Sequence, residues 1–272
     1  MHTWNAEVPA VLTPLRLGQK LRGALRLAGL GTLTGVALGL FLVGRYARLA
    51  FGRRVTFHFA VARLWARLGL RLMGLRLEVE GRPVASGALV ANHSSWIDIF
   101  ALRATRLIYF VSKAEVADWP GVGFITRVTG TVFIERRRTE AKRQEEILIE
   151  RIRARQVLCF FPEGTSTDGL RVLPFKSSLF SAFFQDGGRD LLIQPVTVRY
   201  RTRRRSTLPA SFYGWWGSMG FERHVWDVLC RSTGGRVEVT FHAPVRPQDF
   251  AGRKPLAEYC HAVVAAGHGA RI

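Results

Sequence analysis

The chain has little cysteine: three residues in 272, Cys159, Cys230 and Cys260, with no CxxC pair. That excludes a disulfide framework and a cysteine-rich zinc module, and makes a reducing, cytoplasm-facing setting the default. The seven histidines are scattered and no HExxH occurs, so neither a metal nor another cofactor is expected. No GxSxG is present, which disfavours a serine hydrolase built on a nucleophile elbow. Internal repeats and low-complexity tracts are missing, and with 48% hydrophobic residues the chain is too apolar for a disordered basic tail. Acid is scarce as well: 20 Asp and Glu stand against 40 Lys and Arg, a formal charge of +20. Such a surplus calls for an anionic partner, whether nucleic acid, an acidic membrane leaflet, an acidic carrier protein or a phosphorylated substrate.

Residues 27–44 carry no charge over 18 positions, near the short end of what spans hydrocarbon. Arg16, Lys20, Arg22 and Arg26 precede the run and Arg45, Arg48, Arg53 and Arg54 follow it, so the positive-inside rule assigns no orientation. The run starts too late for a cleavable signal peptide and no small-x-small pattern follows it. A membrane anchor, spanning or re-entrant, is the expectation, and a buried core helix the alternative. Residues 55–75 read as an amphipathic helix, with Arg63, Arg67 and Arg71 in one stripe and Val61, Trp65, Leu68, Leu72 and Leu75 opposite. That pattern suits a helix lying in a membrane interface, or a surface helix packed on its own domain.

Beyond this point short apolar, β-branched runs recur at 77–80, 88–91, 107–111, 132–134, 157–161, 193–198 and 237–241, and helical stretches at 139–156, 176–185 and 249–266 lie between or after them. The expected fold is α/β: a mixed, mostly parallel sheet of about seven strands flanked by helices, preceded by an N-terminal membrane-associated helical segment. A boundary near residue 75 divides anchoring or interfacial helices at 1–75 from a catalytic-looking domain at 76–272.

Three segments carry groups suited to chemistry. In ALVANHSSWID (88–98) an apolar strand ends at Asn92, with His93 just past its carboxyl end and Asp98 five residues on, at the start of a short helix. A turn could fold the carboxylate against Nδ1 of the imidazole, leaving Nε2 as a general base. Taken singly, HxxxxD is a weak pattern, and a strand-end histidine capping a backbone group is the plainer reading. In FFPEGTSTDG (160–169) a buried strand runs into Pro162, Glu163 and Gly164, leaving Glu163 to bind acceptor hydroxyls, to position backbone, or to stand solvated in a loop. In residues 113–136, which open on Lys113, glycines punctuate a stretch that ends on the strand TVFI and Arg136. An arginine there can clamp a phosphate or carboxylate, or be one of the exposed basic residues 136–138.

NHSSWID, GTVFIER, FPEGT and the later IQPVTV, in that order and spacing, resemble the four blocks of the glycerolipid acyltransferases, whose type member is 1-acylglycerol-3-phosphate acyltransferase. The resemblance covers about residues 85–200 and implies acyl transfer from an acyl-carrier protein or coenzyme A thioester to the free hydroxyl of a lysolipid. It places that reaction in lipid biosynthesis at the cytoplasmic face of the inner membrane, with anionic lipids as partners. It implies His93 as the base and Asp98 as its orienter, in a direct transfer without an acyl-enzyme. It further implies that Arg136 binds the acceptor's anionic group, that Glu163, Gly164 and Thr165 shape the acceptor site, and that Lys113 assists. Pro195 falls in the fourth block, with a structural or acyl-facing role.

One position departs from the pattern. Phosphate-acceptor members continue the glutamate block with arginine, whereas this chain has Ser166. The runs EGTSTDGLRVLPFKSSLF and FYGWWGSMGFERHVW look more like the lyso-ornithine lipid acyltransferase branch, whose acceptor has an amino-acid headgroup. With Arg171 or Lys176 supplying the missing charge, a lysophosphatidate acceptor is the alternative. The competing class is a basic nucleic-acid-binding module, for which residues 199–205 supply five arginines in seven positions. No zinc-finger, helix-turn-helix or RRM signature accompanies them, so no nucleic-acid partner is expected and the run reads as a solvated loop near lipid headgroups or an acidic carrier.

Overall fold

The computed structural model describes residues 4–5, 8–52, 54–119, 121–134, 141–185 and 187–269. Seven strands form one sheet in the order β1-β7-β6-β2-β5-β3-β4, comprising β1 (Leu75–Glu80), β2 (Gly87–Ala91), β3 (Tyr109–Lys113), β4 (Val132–Ile134), β5 (Val157–Phe160), β6 (Ile193–Arg201) and β7 (Gly235–Phe241). Every pairing is parallel except β6 with β7. This is the expected mixed, mostly parallel sheet.

Both faces are buried, and the period of two in β2 shows how. Leu89 and Ala91 join one apolar cluster with Ala66, Leu70, Ala101, Val228 and Leu229, while Ala88 and Val90 join the other with Phe180, Leu256 and Val264. The first face carries α2 (Phe57–Leu72), α3 (Asp98–Thr105) and α6 (Phe221–Arg231). The second carries α5 (Ala141–Arg153), a 3₁₀ segment (Ser177–Phe184) and α7 (Arg253–His268). The connection from β2 runs through α3 to β3, and the one from β5 runs through the 3₁₀ segment to β6, so the two leave on opposite faces. A crevice therefore opens at the carboxyl ends of β2 and β5, where ligands settle in open α/β sheets.

The N-terminal segment is longer and better anchored than the uncharged stretch alone predicts. α1 (Leu17–Phe51) has 35 residues and is long and apolar enough to cross a membrane, yet it packs on the domain along its length. Arg22 and Arg26 donate to carbonyls at the end of α6 (Cys230, Leu229 and Ser232), Thr34 accepts from the Trp65 indole at 3.0 Å, and Arg45 donates to Val128 O at the end of α4 (Val122–Val128), the short helix between β3 and β4. At Gly44 a Cβ would come within 2.6 Å of the His58 Cβ, so a small residue is what lets α1 and α2 approach there. The buried face of α2 is His58, Ala62, Ala66, Gly69 and Leu70, not the Leu68–Leu72 side that the arginine stripe suggests. Small residues let α2 sink between α1 and α3, where Leu70 and Met73 are fully enclosed. Leu21, Leu25, Val36, Leu40 and Val43 of α1, with Leu64 of α2, face outward.

The basic run at 199–205 is only partly a loop. β6 continues to Arg201, whose Nε bonds Glu238 on β7 at 2.7 Å.

Candidate active site

Asp98 opens α3 and is wholly buried, where a carboxylate needs hydrogen-bond donors around it. It finds four. Oδ2 accepts from Nδ1 of His93 at 2.7 Å and from the Ser94 and Ser95 amides at 2.9 and 3.0 Å, and Oδ1 accepts from the Tyr200 hydroxyl at 2.6 Å. The NHSSWID segment thus wraps its own carboxylate, and the imidazole is held with its proton on Nδ1. Nε2 has no partner among the described residues, and the ring lines an open cavity. Phe161 lies flat against the ring at 4.1 Å and blocks any rotation toward β5.

The backbone of His93 is clamped as firmly as its side chain. Asn92 continues β2 with its amide: Nδ2 donates to Val198 O at 2.9 Å and Oδ1 accepts from Val198 N–H at 2.8 Å. The His93 carbonyl accepts from the Thr167 amide at 3.0 Å, and the His93 amide donates to Oε1 of Glu163 at 2.6 Å. The other oxygen of Glu163 accepts from the Leu173 amide at 2.7 Å. Glu163 is buried, so the solvated-loop reading fails, and of the two functional readings the structure displays backbone positioning. Burial pushes its carboxyl up to about 8, although the two amides pull the other way.

The remaining expected site residues divide. Gly164 turns at φ +70, where a Cβ would meet Nζ of Lys176 at 2.7 Å. Thr165 donates to Ser166 O and accepts from the Trp4 amide, and Ser166 donates to Trp215 O. Lys113 ends β3 opposite Ile134, at the same carboxyl edge of the sheet as His93. Arg136 lies outside the described residues. Of the two proposed substitutes for a missing cation, Arg171 is committed elsewhere. It pairs with buried Asp168 at 2.9 Å and covers the Trp4 ring, which leaves exposed Lys176 beside Gly164.

Residue-by-residue reading of the sequence missed Tyr200 and Asn92. The alternation Val196, Val198, Tyr200 along β6 puts the tyrosine on the face that carries α3, the one signal that pointed to it. Burial and the Asp98 charge raise its hydroxyl well above the usual range, so it stays a donor. The cysteines hold no reactive thiolate: all three are buried, and burial pushes Cys260 up to about 12.

The cavity in front of Nε2 has a volume of about 420 Å³ and is walled mainly by apolar side chains. It runs from His93 past Phe161 and Phe110 to Trp65 of α2 and to Leu30 and Phe41 of α1. A slot of this size and lining accepts a flexible apolar chain and delivers its polar end to the imidazole.

Comparison with known proteins agrees with this geometry. Residues 76–199 match the acyltransferase family. A lyso-ornithine lipid O-acyltransferase from Rhodobacter capsulatus is 45% identical over 271 residues, covering 98% of both chains. The chain belongs to the acyltransferase family. Another relative within it, the 1-acyl-sn-glycerol-3-phosphate acyltransferase of Neisseria gonorrhoeae, is 34% identical over 59% of this chain and 62% of its own. Among solved structures, the 1-acyl-sn-glycerophosphate acyltransferase PlsC from Thermotoga maritima superposes with a TM-score of 0.66. At 23% identity, over 92% of this chain and 96% of that one, it shows the shared fold. The expected acyltransferase fold and family are thereby borne out.

Proposed function

We propose that this acyltransferase moves a fatty acyl group from an acyl thioester, carried on acyl-carrier protein or coenzyme A, to the hydroxyl of a lyso-ornithine lipid. The observation that carries this reading is an imidazole oriented by Asp98 whose free Nε2 opens on an apolar cavity floored by α1 and α2. Nε2 of His93 takes the proton of the acceptor hydroxyl while its oxygen attacks the thioester carbonyl. The ester forms, the thiolate leaves, and the proton on Nε2 passes to the departing sulfur. Asp98 keeps its charge throughout and stabilises the imidazolium between the two transfers. No acyl-enzyme is required.

The acceptor assignment follows the nearly full-length likeness to the Rhodobacter protein and the absence of a guanidinium at Ser166, whose hydroxyl is tied to Trp215. Lysophosphatidate is the second reading, favoured by Lys176 beside Gly164 and by the Neisseria relative. The outward apolar face of α1 and α2, flanked by arginines, lies in one leaflet of the cytoplasmic membrane. The packing of α1 on α2 and α6 supports a helix that rests along the domain in the leaflet over one that stands away to cross it. A paired acceptor assay tests the reading: purified protein with radiolabelled acyl-carrier protein is offered lyso-ornithine lipid or lysophosphatidate, with H93A as the blank. Transfer chiefly to lyso-ornithine lipid is expected, and transfer chiefly to lysophosphatidate would overturn the acceptor assignment.

A further inference from the structure

Arg103 is out of place. It sits near the end of α3, is 3% exposed, and lines the same cavity as His93. Its Nε is buried with no hydrogen-bond partner, and no carboxylate pairs with it among the described residues. The Phe110 ring lies 5.5 Å from the guanidinium carbon, and Tyr109 is near enough to act on its charge. A ring face replaces only a fraction of the hydration a guanidinium gives up on burial, and desolvation lowers its pKa to about 10. Leucine or methionine would fill an apolar wall better if packing were the whole role. The uncompensated charge has a place if an anion enters the cavity with the substrate.

The position fits such an anion. Phe110 stacks on Phe161 at 6.4 Å and Phe161 on His93 at 4.1 Å, so imidazole and guanidinium lie at the two ends of one aromatic wall. An acceptor held along that wall could set its hydroxyl at Nε2 and an anionic group at Arg103. We propose that Arg103 is a further binding residue for the acceptor's anionic group, in addition to the Arg136 that the family resemblance implies: its guanidinium pairs inside the cavity with the carboxylate of an amino-acid headgroup, or with phosphate where the acceptor is a phospholipid. The inference rests on the reading that the protein acylates a lysolipid, and it adds a residue that selects acceptors with an anionic group over those without one. The pair forms where water is excluded, so both charge and geometry count, and lysine replaces arginine only in part.

The test crosses the enzyme with its substrate. Wild type, R103Q and R103K are assayed on lyso-ornithine lipid and on its carboxamide, which keeps the ornithine ammonium but has no anionic group, and on lysophosphatidate and neutral monoacylglycerol. Wild type should prefer the member with the anionic group in the pair it uses by at least about 30-fold in kcat/KM. R103Q should reduce that preference to below about 3-fold, by losing rate on the acceptor with the anionic group with little further loss on the other, and R103K should fall between. A role in packing alone lowers both rates together, so a preference retained by R103Q overturns the proposal. Thermal melting guards against misfolding: R103Q should melt no lower than wild type, and the charged lysolipid added without donor should raise the melting temperature of wild type more than that of R103Q. An equal rise in both overturns the proposal without reference to turnover. A wild-type enzyme that acylates neither charged acceptor instead brings down the lysolipid reading, and the proposal with it.

Discussion

The hydroxyl of Tyr200 donates to Oδ1 of Asp98 at 2.6 Å, across 102 residues of sequence. This bond ties the turn that holds His93 and Asp98 to the neighbouring strand β6, so the orientation of His93 depends on the sheet as well as on its own loop. Y200F leaves Asp98 three donors and the imidazole bond intact. Its kcat should fall about tenfold, the scale of one neutral-to-charged hydrogen bond, with KM for either substrate little changed. Steady-state kinetics on purified Y200F checks this, and a rise in KM without loss of kcat contradicts it.

D98N is the harsher change. With its oxygen in the place of Oδ2 the amide keeps the His93, Ser94 and Ser95 donors and its NH₂ faces the Tyr200 hydroxyl, which has to turn and accept, so the chief loss is the negative charge that stabilises the imidazolium. A loss of about 10³-fold or more in kcat is expected. Transfer near the wild-type rate would remove Asp98 from the mechanism.

Glu163 acts through the backbone of His93, so E163Q should lower kcat while leaving His93 chemically intact. The substituted NH₂ has to face either the His93 or the Leu173 amide, donor against donor. The pH dependence of stability gives a second readout. The folded-state value of about 8 lies above the ordinary value near 4, so the native state holds a proton that the unfolded chain has lost. Stability from this group is full below about pH 4 and is lost as pH rises through 8. The melting temperature of wild type should therefore fall between pH 6.5 and 8.5 more steeply than that of E163Q. Parallel melting curves would show that Glu163 is ionised throughout.

His224 works in the opposite sense. Its Nδ1 accepts from the Trp96 indole at 2.9 Å and its Nε2 donates to Phe212 O at 3.2 Å, an arrangement open only to the neutral ring. Burial lowers its pKa to about 4, so stability from this group is present above 6.5 and is lost as pH falls toward 4. H224Q should flatten the decline in melting temperature between pH 6.5 and 4.5. His268, lowered to about 4 as well, leaves a residual slope in that variant.

Much of this was open to a reader of the sequence. Strand periodicity located all seven strands to within a few residues, because apolar β-branched runs buried on both faces have few alternatives. The five-residue spacing of the dyad at a strand end was a weak signal taken singly and became legible through the four blocks in their order. What stayed hidden depended on contacts between distant segments. Glu163 looks like any loop glutamate until β5 is laid beside β2 and its carboxylate meets the His93 amide. Tyr200 and Arg103 carry no motif, and their importance comes from burial, which no local pattern reports. The buried face of α2 had no sequence signal of its own, because small residues, not leucines, mark a tight helix crossing.

The outer face of α1 offers a test of membrane attachment. Glutamate at Val36, Leu40 and Val43, all outward, should release the protein from anionic vesicles in sedimentation without lowering its melting temperature in detergent. Undiminished sedimentation would move the attachment elsewhere.

The most direct test of the mechanism is acyl transfer by H93A, measured by mass spectrometry of the acylated product beside vesicle binding of the same preparation. Expected is a loss of at least about 10³-fold in product with vesicle binding unchanged. Product formed at the wild-type rate would contradict the assignment of His93 as the base, whatever the acceptor.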